Sequence, residues 1–323
     1  MTKKTFLIGL SVALAVFLTL FTLVTVNSGF YDLQISKLLV TTLAPNQRYA
    51  TSIFGRIFET LGEQPFYLLI QLCFISLIVI LLRKKKTPLV IIGIVGLFGL
   101  SIATGFFALH RIEAYIARYQ ENDSVWTHLF SPLPFCLNLF GGMLISLLLF
   151  FSLRKFLSSL DEKSLLRLIL VFLVAVIASQ VLVQLVIKNI FHRTRYRAIN
   201  VNPALSFLPW YQINEVPTEL GNNITDDFRS FPSGHTCSMA TSFIMMLIPI
   251  YFPKLQTKIG WSICILVPVI GTFLIALARI MMGAHYLSDV TCGAFIPLFF
   301  IWCAYFVERK ISKEPSFKTL VKV

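Results

Sequence analysis

The chain has 323 residues, of which 56% are hydrophobic and only 13% are charged. A soluble domain carries about 25% charged residues, so this chain lacks the polar surface that a soluble protein of its length needs. Thirty Phe and long uncharged runs indicate instead that lipid covers much of the surface. The sequence predicts an all-α, polytopic helical membrane protein and excludes disordered, collagen-like and disulfide-scaffold classes.

Eight apolar spans, so about eight transmembrane helices, are predicted along the chain, most of them about 20 residues long. At ~1.5 Å per residue, such a helix crosses a ~30 Å hydrocarbon core. Pro249, Pro253 and Pro268 lie within or beside the sixth and seventh spans. The spans cover residues 6–28, 65–82, 88–109, 134–153, 164–187, 236–252, 259–278 and 287–307.

The net charge of +13 is concentrated on one side of these spans. That side carries 17 Lys and Arg against four acidic residues, whereas the other side carries 11 of each kind. Cytoplasmic loops are enriched in Lys and Arg, so we expect both termini in the cytoplasm and the balanced side outside the cell membrane. Because topology explains the positive charge, the composition gives no support to nucleic-acid binding.

Three segments lie on the predicted outer side. Residues 30–64 have apolar positions three or four apart, which predicts one or two short interfacial helices broken near Pro45. Residues 110–133 are predicted to be a polar connector. Residues 188–235 form the longest loop, and motif-like sequence stands at both of its ends.

Five basic residues cluster at the ends of this loop. A single Lys at a helix end is ordinarily a snorkelling side chain. A group of Arg on the outer side runs against the topological bias, and guanidinium groups bind phosphate and carboxylate through paired hydrogen bonds. The cluster therefore predicts that an anionic group docks here. Its members are Lys188, Arg193, Arg195, Arg197 and Arg229.

A second motif, Phe231-Pro232-Ser233-Gly234-His235, stands directly before the sixth span. Pro and Gly beside a helix start leave backbone N–H groups exposed, and these donors together with the helix dipole favour a phosphate. Ser233 adds a hydroxyl, and Gly234 allows close approach to the backbone. The alternative interpretation is a helix cap followed by an interfacial His.

A third motif runs from Arg279 to Asp289 and links the seventh and eighth spans. His285 and Asp289 are four residues apart, so on a helix they would share one side and could hydrogen-bond. A carboxylate on one ring nitrogen fixes the imidazole tautomer and leaves the other nitrogen as a nucleophile. The alternative for Asp289 is an acid that stabilises a helix N-terminus.

The predicted topology places all three motifs on the same side of the membrane. The sequence has no Cys/His zinc spacing, no acidic cluster suited to magnesium and no glycine-rich nucleotide loop. Two His, one Asp, one Lys and several Arg favour phosphoryl transfer without a metal or other cofactor, since positioning and charge neutralisation carry most of that catalysis.

These motifs resemble the signature of the type-2 phosphatidic acid phosphatase superfamily of membrane lipid phosphatases: K-x6-R-P, P-S-G-H and S-R-x5-H-x3-D. Here they read K-x6-R-Y from Lys188, P-S-G-H from Pro232 and A-R-x5-H-x3-D from Ala278. The resemblance covers about residues 185–295. Tyr196 replaces the proline of the pattern, and Ala278 replaces its serine.

The resemblance also implies an architecture. Members usually have six spans, so we expect a six-helix core plus one added hairpin among spans two to four. One integral membrane domain is expected over residues 1–323, with a catalytic core at about 160–307 and with N-terminal spans and an amphipathic segment at 1–159. The segment 30–64, with Asp32, weakly resembles the outer N-terminal region of the superfamily.

The resemblance implies a role for each matched residue. His285 is the nucleophile that forms a phosphohistidine, and Asp289 orients it. His235 protonates the leaving oxygen and then helps water hydrolyse the intermediate. Five residues, here called the phosphate-binding group, hold the phosphate oxygens: Lys188, Arg195, Ser233, Gly234 and Arg279.

Three other functions share parts of this pattern. A phosphotransferase would pass the phosphate to a lipid or sugar acceptor instead of water. A vanadate haloperoxidase would bind vanadate in the same residues, but those relatives are soluble. A transporter or binding protein for an anionic lipid is disfavoured, because transporter charges lie near the bilayer midplane and these motifs lie at helix ends.

The sequence leaves the lipid open. Undecaprenyl diphosphate, phosphatidylglycerol phosphate, phosphatidate and diacylglycerol pyrophosphate are all candidates. A site that faces outward favours a carrier-lipid diphosphate. The expected partners are therefore a membrane lipid phosphate and the bilayer itself.

Overall fold

The computed structural model describes residues 28–119, 132–215 and 226–311, together with scattered positions between 11 and 23. Every regular element in these residues is a helix, which confirms the predicted all-α class. In chain order the α-helices are α1 (Ser28–Leu39), α2 (Ile53–Leu61), α3 (Gln64–Leu81), α4 (Pro88–Tyr119), α5 (Pro132–Ser158), α6 (Glu162–Gln180), α7 (Lys188–Phe191), α8 (Tyr196–Val201), α9 (Gly234–Ala240), α10 (Ile248–Tyr251), α11 (Lys258–Met281) and α12 (Leu287–Ile311).

Six helical segments among the described residues are long and apolar enough to cross a membrane, so the chain is a multi-pass membrane protein. They correspond to the second to fifth, seventh and eighth predicted spans, and the count of eight is not confirmed. The first predicted span, 6–28, lies mostly outside the described residues. The six segments are Ile53–Leu81, Pro88–Tyr119, Pro132–Ser158, Glu162–Val201, Lys258–Met281 and Leu287–Phe306.

The sixth predicted span, 236–252, is helical but is not one long α-helix. α9 gives way to a 3-10 segment at Thr241–Leu247 and then to the four-residue α10. The hydroxyls of Thr241 and Ser242 each donate, at 2.6 Å, to a carbonyl three residues back. Such bonds compete with the α-helical pattern, and Pro249 has no N–H to contribute, so the regular helix is interrupted.

The chain divides into two compact units. The larger unit contains residues 1–56 and 174–323, and the smaller unit contains residues 57–173. Every predicted site residue belongs to the larger unit. The single domain with a catalytic core at about 160–307 stays a prediction.

In the smaller unit, α4 and α5 pack through small residues. A Cβ on Gly105 would lie 2.8 Å from the Cα of Gly142, so the two helices approach closely only because both residues are Gly. Gln71 donates to the Ser101 carbonyl at 3.1 Å, and the Ser101 hydroxyl donates to that of Ser146 at 2.9 Å. These bonds satisfy polar groups inside apolar helices, where an unpaired polar group is costly.

The last turns of α4 carry charged residues with partners on neighbouring segments. Arg111 Nε lies 2.7 Å from Glu63 Oε2, and Asn138 donates to Glu113 at 2.9 Å. These pairs stabilise the end of α4, which extends to Tyr119 and so into the polar connector predicted at 110–133. The remainder of that connector, up to residue 131, lies outside the described residues.

Segment 30–64 contains the two short helices expected there, and α1 belongs to the larger unit. α1 and α2 flank a turn in which Asn46 has a φ of 63°, so the predicted break near Pro45 is found. α1 packs against α11 and α12. This packing places a residue of the N-terminal segment beside the third motif, as described below.

The core of the larger unit joins the second motif to the third. α9 packs against α11 and α12, and its Cys237 is buried with Phe231 and Cys292 in one apolar cluster. A Cβ on Gly293 of α12 would lie 2.5 Å from the Ser233 carbonyl oxygen. The absence of a side chain at Gly293 therefore lets the start of α9 lie directly against α12.

Candidate active site

The first motif follows the helix that begins as α6. Residues Val181–Ile187 form a π-helical segment that ends at Lys188. Such turns are rare and recur at functional sites. His192 adopts a left-handed conformation with φ 44°, which ends α7 and turns the chain toward Arg195. Lys188 and Arg195 are both buried.

The two departures from the superfamily pattern lie in intact helices. Arg195 is the N-cap of α8 and Tyr196 is its first residue. Proline is favoured at the first helical position because its missing N–H would have no partner in the helix there. Tyr196 therefore stands at a proline position without moving the helix start. Ala278 is fully buried in α11.

Arg195 and Arg197 share one carboxylate. Asp226 accepts from Arg195 at 2.8 Å and from Arg197 at 2.9 Å. The backbone N–H of Arg195 donates to the carbonyl of Asp227 at 2.8 Å. The side chain of Asp226 is 46% exposed. A carboxylate of the protein thus binds the guanidinium that the resemblance assigns to phosphate.

The second motif forms the start of α9. The Ser233 hydroxyl accepts from the N–H of Thr236 at 3.3 Å, so the helix-cap interpretation is correct for Ser233. A Cβ on Gly234 would clash with the side chain of Gln184. His235 follows in the first turn and is buried. The contact of Ser233 and Gly234 with phosphate stays a prediction.

The third motif begins in the last turn of α11, where the side chain of Arg279 is buried. Gly283 in the following turn has φ 62°, a conformation that a side chain would strain. Its carbonyl accepts from the N–H of Arg197 at 2.8 Å, which ties this turn to the first motif. The N–H groups of Ala284 and His285 both donate to the Arg279 carbonyl. The turn therefore holds Arg279 and His285 in a fixed arrangement.

His285 precedes α12 and is not part of it, so the prediction that His285 and Asp289 share one helix face is wrong. Nδ1 of His285 lies 2.6 Å from the carbonyl oxygen of Ser230, whereas Oδ2 of Asp289 lies 3.6 Å away. A carbonyl only accepts, so Nδ1 carries the proton and Nε2 is the unprotonated nitrogen of the neutral ring. The Ser230 carbonyl takes the orienting contact that was predicted for Asp289.

Asp289 is buried in the first turn of α12, and its hydrogen bonds go to neighbours of His285 and not to the ring itself. Its Oδ2 accepts from the Ser230 hydroxyl at 2.5 Å and from the N–H of Tyr286 at 2.8 Å. The contact with Tyr286 agrees with the interpretation of Asp289 as an acid at a helix N-terminus. The contact with Ser230 fixes the residue whose carbonyl holds His285.

Arg193 was predicted as a member of the anion-docking cluster, and that prediction is wrong. Its side chain is fully buried, and its guanidinium pairs with Asp289 at 2.5 Å and with Asp32 at 2.9 Å. Two carboxylates inside the protein therefore neutralise the charge of Arg193. Reasoning from the sequence also missed Ser230 and Asp226, although Ser230 stands directly before the second motif.

The charges of the first and third motifs converge on His285. The pKa of His285 is held well below its usual range, first by burial and then by the positive charges of Arg195, Arg279 and Lys188. Effects of this kind require charges close to the ring. Lys188, Arg195 and Arg279 are therefore near enough to His285 to act on its charge, and their contact with phosphate stays a prediction. In the described residues, no three His, Cys, Asp or Glu side chains are grouped so as to hold a metal ion.

The sequence model of the PAP2 superfamily matches residues 168–312. Neither a curated protein nor a solved structure matches the chain. The matched region contains all three motifs. Asp32, the second carboxylate on Arg193, lies outside it.

Proposed function

We propose that this chain is a membrane phosphatase that hydrolyses a phosphomonoester or diphosphate group of a lipid, and the match of residues 168–312 to the PAP2 superfamily supports this proposal. One observation carries the proposal. A neutral His285, held at Nδ1 by the Ser230 carbonyl, lies among the positive charges of the phosphate-binding group. A neutral nucleophile surrounded by cations suits attack on an anionic phosphate.

The reaction has two steps. In the first, Nε2 of His285 forms a bond to phosphorus while the bond from phosphorus to the leaving oxygen breaks, and His235 gives its proton to that oxygen. In the second, water attacks phosphorus, the phosphorus–nitrogen bond breaks, and His235 takes a proton from the water. Inorganic phosphate leaves, and both His return to their initial states.

Electrostatics supports both steps. The lowered pKa of His285 keeps the ring neutral at neutral pH, so Nε2 is available to attack. Lys188, Arg195 and Arg279 neutralise the charge on the equatorial oxygens of phosphorus in the transition state. Arg195 is hydrogen-bonded to Asp226, so the incoming phosphate replaces one anionic partner of Arg195 with another.

The substrate is proposed to be a lipid because the site residues lie at the ends of membrane-spanning helices. Arg279 lies in the last turn of α11, and His285 directly precedes α12. The positive charge of the opposite loops favours an outward-facing site with both termini in the cytoplasm. A carrier-lipid diphosphate such as undecaprenyl diphosphate is the first candidate, since such a lipid would be dephosphorylated at the outer leaflet.

Phosphate release by the purified protein in detergent tests the proposal, with the four candidate lipids as substrates. We expect release from one or more of them in excess EDTA, because cationic side chains take the place of a metal. Vanadate should inhibit as a mimic of phosphate. Transfer of phosphate to an added lipid or sugar, without free phosphate, would indicate a phosphotransferase instead.

A pair of Lys variants provides the control. Lys188→Ala should lose most activity, whereas Lys84→Ala should keep it, because Lys84 is exposed in the smaller unit, where its amino group pairs with Glu162 at 2.7 Å. Folded wild-type protein that releases no phosphate from any substrate would contradict the proposal. If activity is lost in EDTA and added magnesium or zinc restores it, only the metal independence would be contradicted.

A further inference from the structure

Asp32 lies on α1, outside the region that the superfamily matches, yet its side chain is fully buried beside the third motif. Its Oδ1 accepts from the N–H of Ser288 at 2.9 Å. Its Oδ2 accepts from the Ser288 hydroxyl at 2.5 Å and from Arg193 at 2.9 Å. All of these partners donate to Asp32, which is the arrangement of an ionised carboxylate.

Arg193 connects Asp32 to Asp289. One terminal nitrogen of its guanidinium donates to Asp32, and the other donates to Asp289 at 2.5 Å. Its Nε donates to the Leu208 carbonyl at 3.0 Å, and its plane lies over the ring of Tyr286 at 4.3 Å. A Lys carries all its N–H donors on one nitrogen and has no planar group, so it could not make these contacts together. The guanidinium therefore sets the relative position of the two carboxylates.

Ser230 is held by the same residues. Its hydroxyl donates to Asp289 at 2.5 Å, and its N–H donates to the Arg193 carbonyl at 3.0 Å. Its own carbonyl contacts Nδ1 of His285. A continuous series of buried contacts thus leads from Asp32, through Arg193, Asp289 and Ser230, to the nucleophile.

The series also carries charge. When ionised, Asp32 and Asp289 bear two negative charges against the one positive charge of Arg193, and Asp289 lies 3.6 Å from Nδ1 of His285. The imidazole becomes positively charged when Nε2 bonds to phosphorus, so a fixed negative charge behind Nδ1 stabilises the transition state. Burial raises the pKa of Asp32 and Arg193 opposes this. Without Asp32, Arg193 would cancel the charge of Asp289.

We propose that Asp32 and Arg193 are positioning residues for the nucleophile, which act on His285 through Asp289 and Ser230. This inference rests on the function proposed above. It assigns a role in the reaction to the N-terminal segment. Asp32 of that segment supplies the second carboxylate, so one negative charge remains after Arg193 has neutralised the other. The phosphate-binding group is not part of the series, so catalysis and phosphate affinity should respond differently to changes in it.

Asp32→Asn is the primary test, because it keeps the size of the side chain and removes its charge. The rate constant for phosphoenzyme formation from an aryl phosphate should fall about 10- to 100-fold. The inhibition constant of inorganic phosphate should stay within about twofold, since its binding residues are unchanged. A role confined to stability would lower the melting temperature without separating these two constants.

Two further variants complete the design. Glu63→Gln is the matched control, because it breaks a carboxylate–guanidinium pair of 2.7 Å in the smaller unit and should leave both constants unchanged. Arg193→Lys should also lower the rate constant for phosphoenzyme formation. The rate constant of the double variant should be little lower than that of either single variant, because the two residues act as a unit. If the effects of the two substitutions on the rate constant were additive, the proposed series of contacts from Asp32 to His285 would be contradicted.

Ser288→Ala decides the matter if Asp32→Asn does not fold. It removes only the hydroxyl between Asp32 and Arg193, and the rate constant should fall about threefold to tenfold with unchanged phosphate inhibition. A wild-type rate constant in either folded variant, or weaker phosphate binding with an intact rate constant, overturns the inference. Wild-type protein that forms no phosphoenzyme and releases no phosphate overturns the proposed function instead.

Discussion

The carbonyl oxygen of Ser230 lies 2.6 Å from Nδ1 of His285 and determines which ring nitrogen is protonated. The contact comes from the backbone, so no substitution of Ser230 removes it directly. Its geometry depends on Asp289, which binds the Ser230 hydroxyl at 2.5 Å. Substitutions around this pair therefore separate the formation of the nucleophile from the binding of phosphate.

The two His should respond differently to replacement by Ala. His285→Ala should abolish turnover and labelling of the protein by phosphate, because the nucleophile is gone. His235→Ala should retain residual activity, since general acid catalysis contributes about 10²- to 10⁴-fold. An aryl phosphate, whose leaving group needs little protonation, should show it best. Turnover that survives in His285→Ala but not in His235→Ala would reverse the assigned roles.

Asp289→Asn should lower kcat about 100-fold and leave KM nearly unchanged, because it displaces Ser230 and not the phosphate-binding group. The protonated nitrogen of His285 should stay the same, because the Ser230 carbonyl and not Asp289 contacts it. Loss of hydrogen bonds to a buried charge should also reduce the free energy of unfolding by about 1–3 kcal/mol. Steady-state kinetics with thermal unfolding tests this, and a raised KM with normal kcat would contradict it.

The acid limb of kcat/KM should lie below pH 6.5, the ordinary pKa of His. Burial and three cations lower the pKa of His285, so the free enzyme keeps a neutral nucleophile until the pH falls through that lowered value. The same group favours folding above its unfolded pKa, and this contribution is lost as the pH falls. Two substrates with different phosphate pKa values distinguish enzyme from substrate ionisation. A limb common to both at or above pH 6.5 would contradict the assignment.

Asp226→Ala should strengthen phosphate binding about twofold to tenfold, because it removes a carboxylate that competes for Arg195. Stability should change little, since Asp226 is 46% exposed and exposed ion pairs contribute about 0–1 kcal/mol. Asp227→Ala is the matched control, as it loses an equal charge that pairs with Arg48 at 3.0 Å. Inhibition by inorganic phosphate measures the effect. Weaker inhibition in Asp226→Ala would show that the carboxylate supports Arg195.

Cysteine labelling in intact cells tests the predicted orientation. Lys85→Cys and Glu215→Cys place thiols at exposed positions on the two predicted sides, in a background without the six native Cys. A membrane-impermeant reagent should label residue 215 and reach residue 85 only after permeabilisation, because the net positive charge lies on the side of residue 85. The opposite pattern would place the site in the cytoplasm.

Reasoning from the sequence succeeded where the signal is local. Apolar length predicted the membrane class, and the motifs identified Lys188, Arg195 and Arg279, whose charges lower the pKa of His285. It failed for the hydrogen bond between His285 and Asp289, because a spacing of four predicts a shared face only within one helix. The chain turns at Gly283, and α12 starts only at Leu287.

Hydropathy and side-chain type are properties of single residues and short segments, so the amino-acid sequence was enough to predict a helical membrane protein whose motifs suit phosphate chemistry. The contacts that hold His285 became visible only in the folded structure. The Ser230 carbonyl is a backbone group that no motif identifies, and Asp32 meets Ser288 from 256 residues away along the chain. Arg193 is buried for a reason that also depends on the tertiary structure. Packing of α1 on α12 buries Asp32 and Asp289, and these two carboxylates stabilise the buried guanidinium between them. An unpaired charge in that position would be strongly unfavourable.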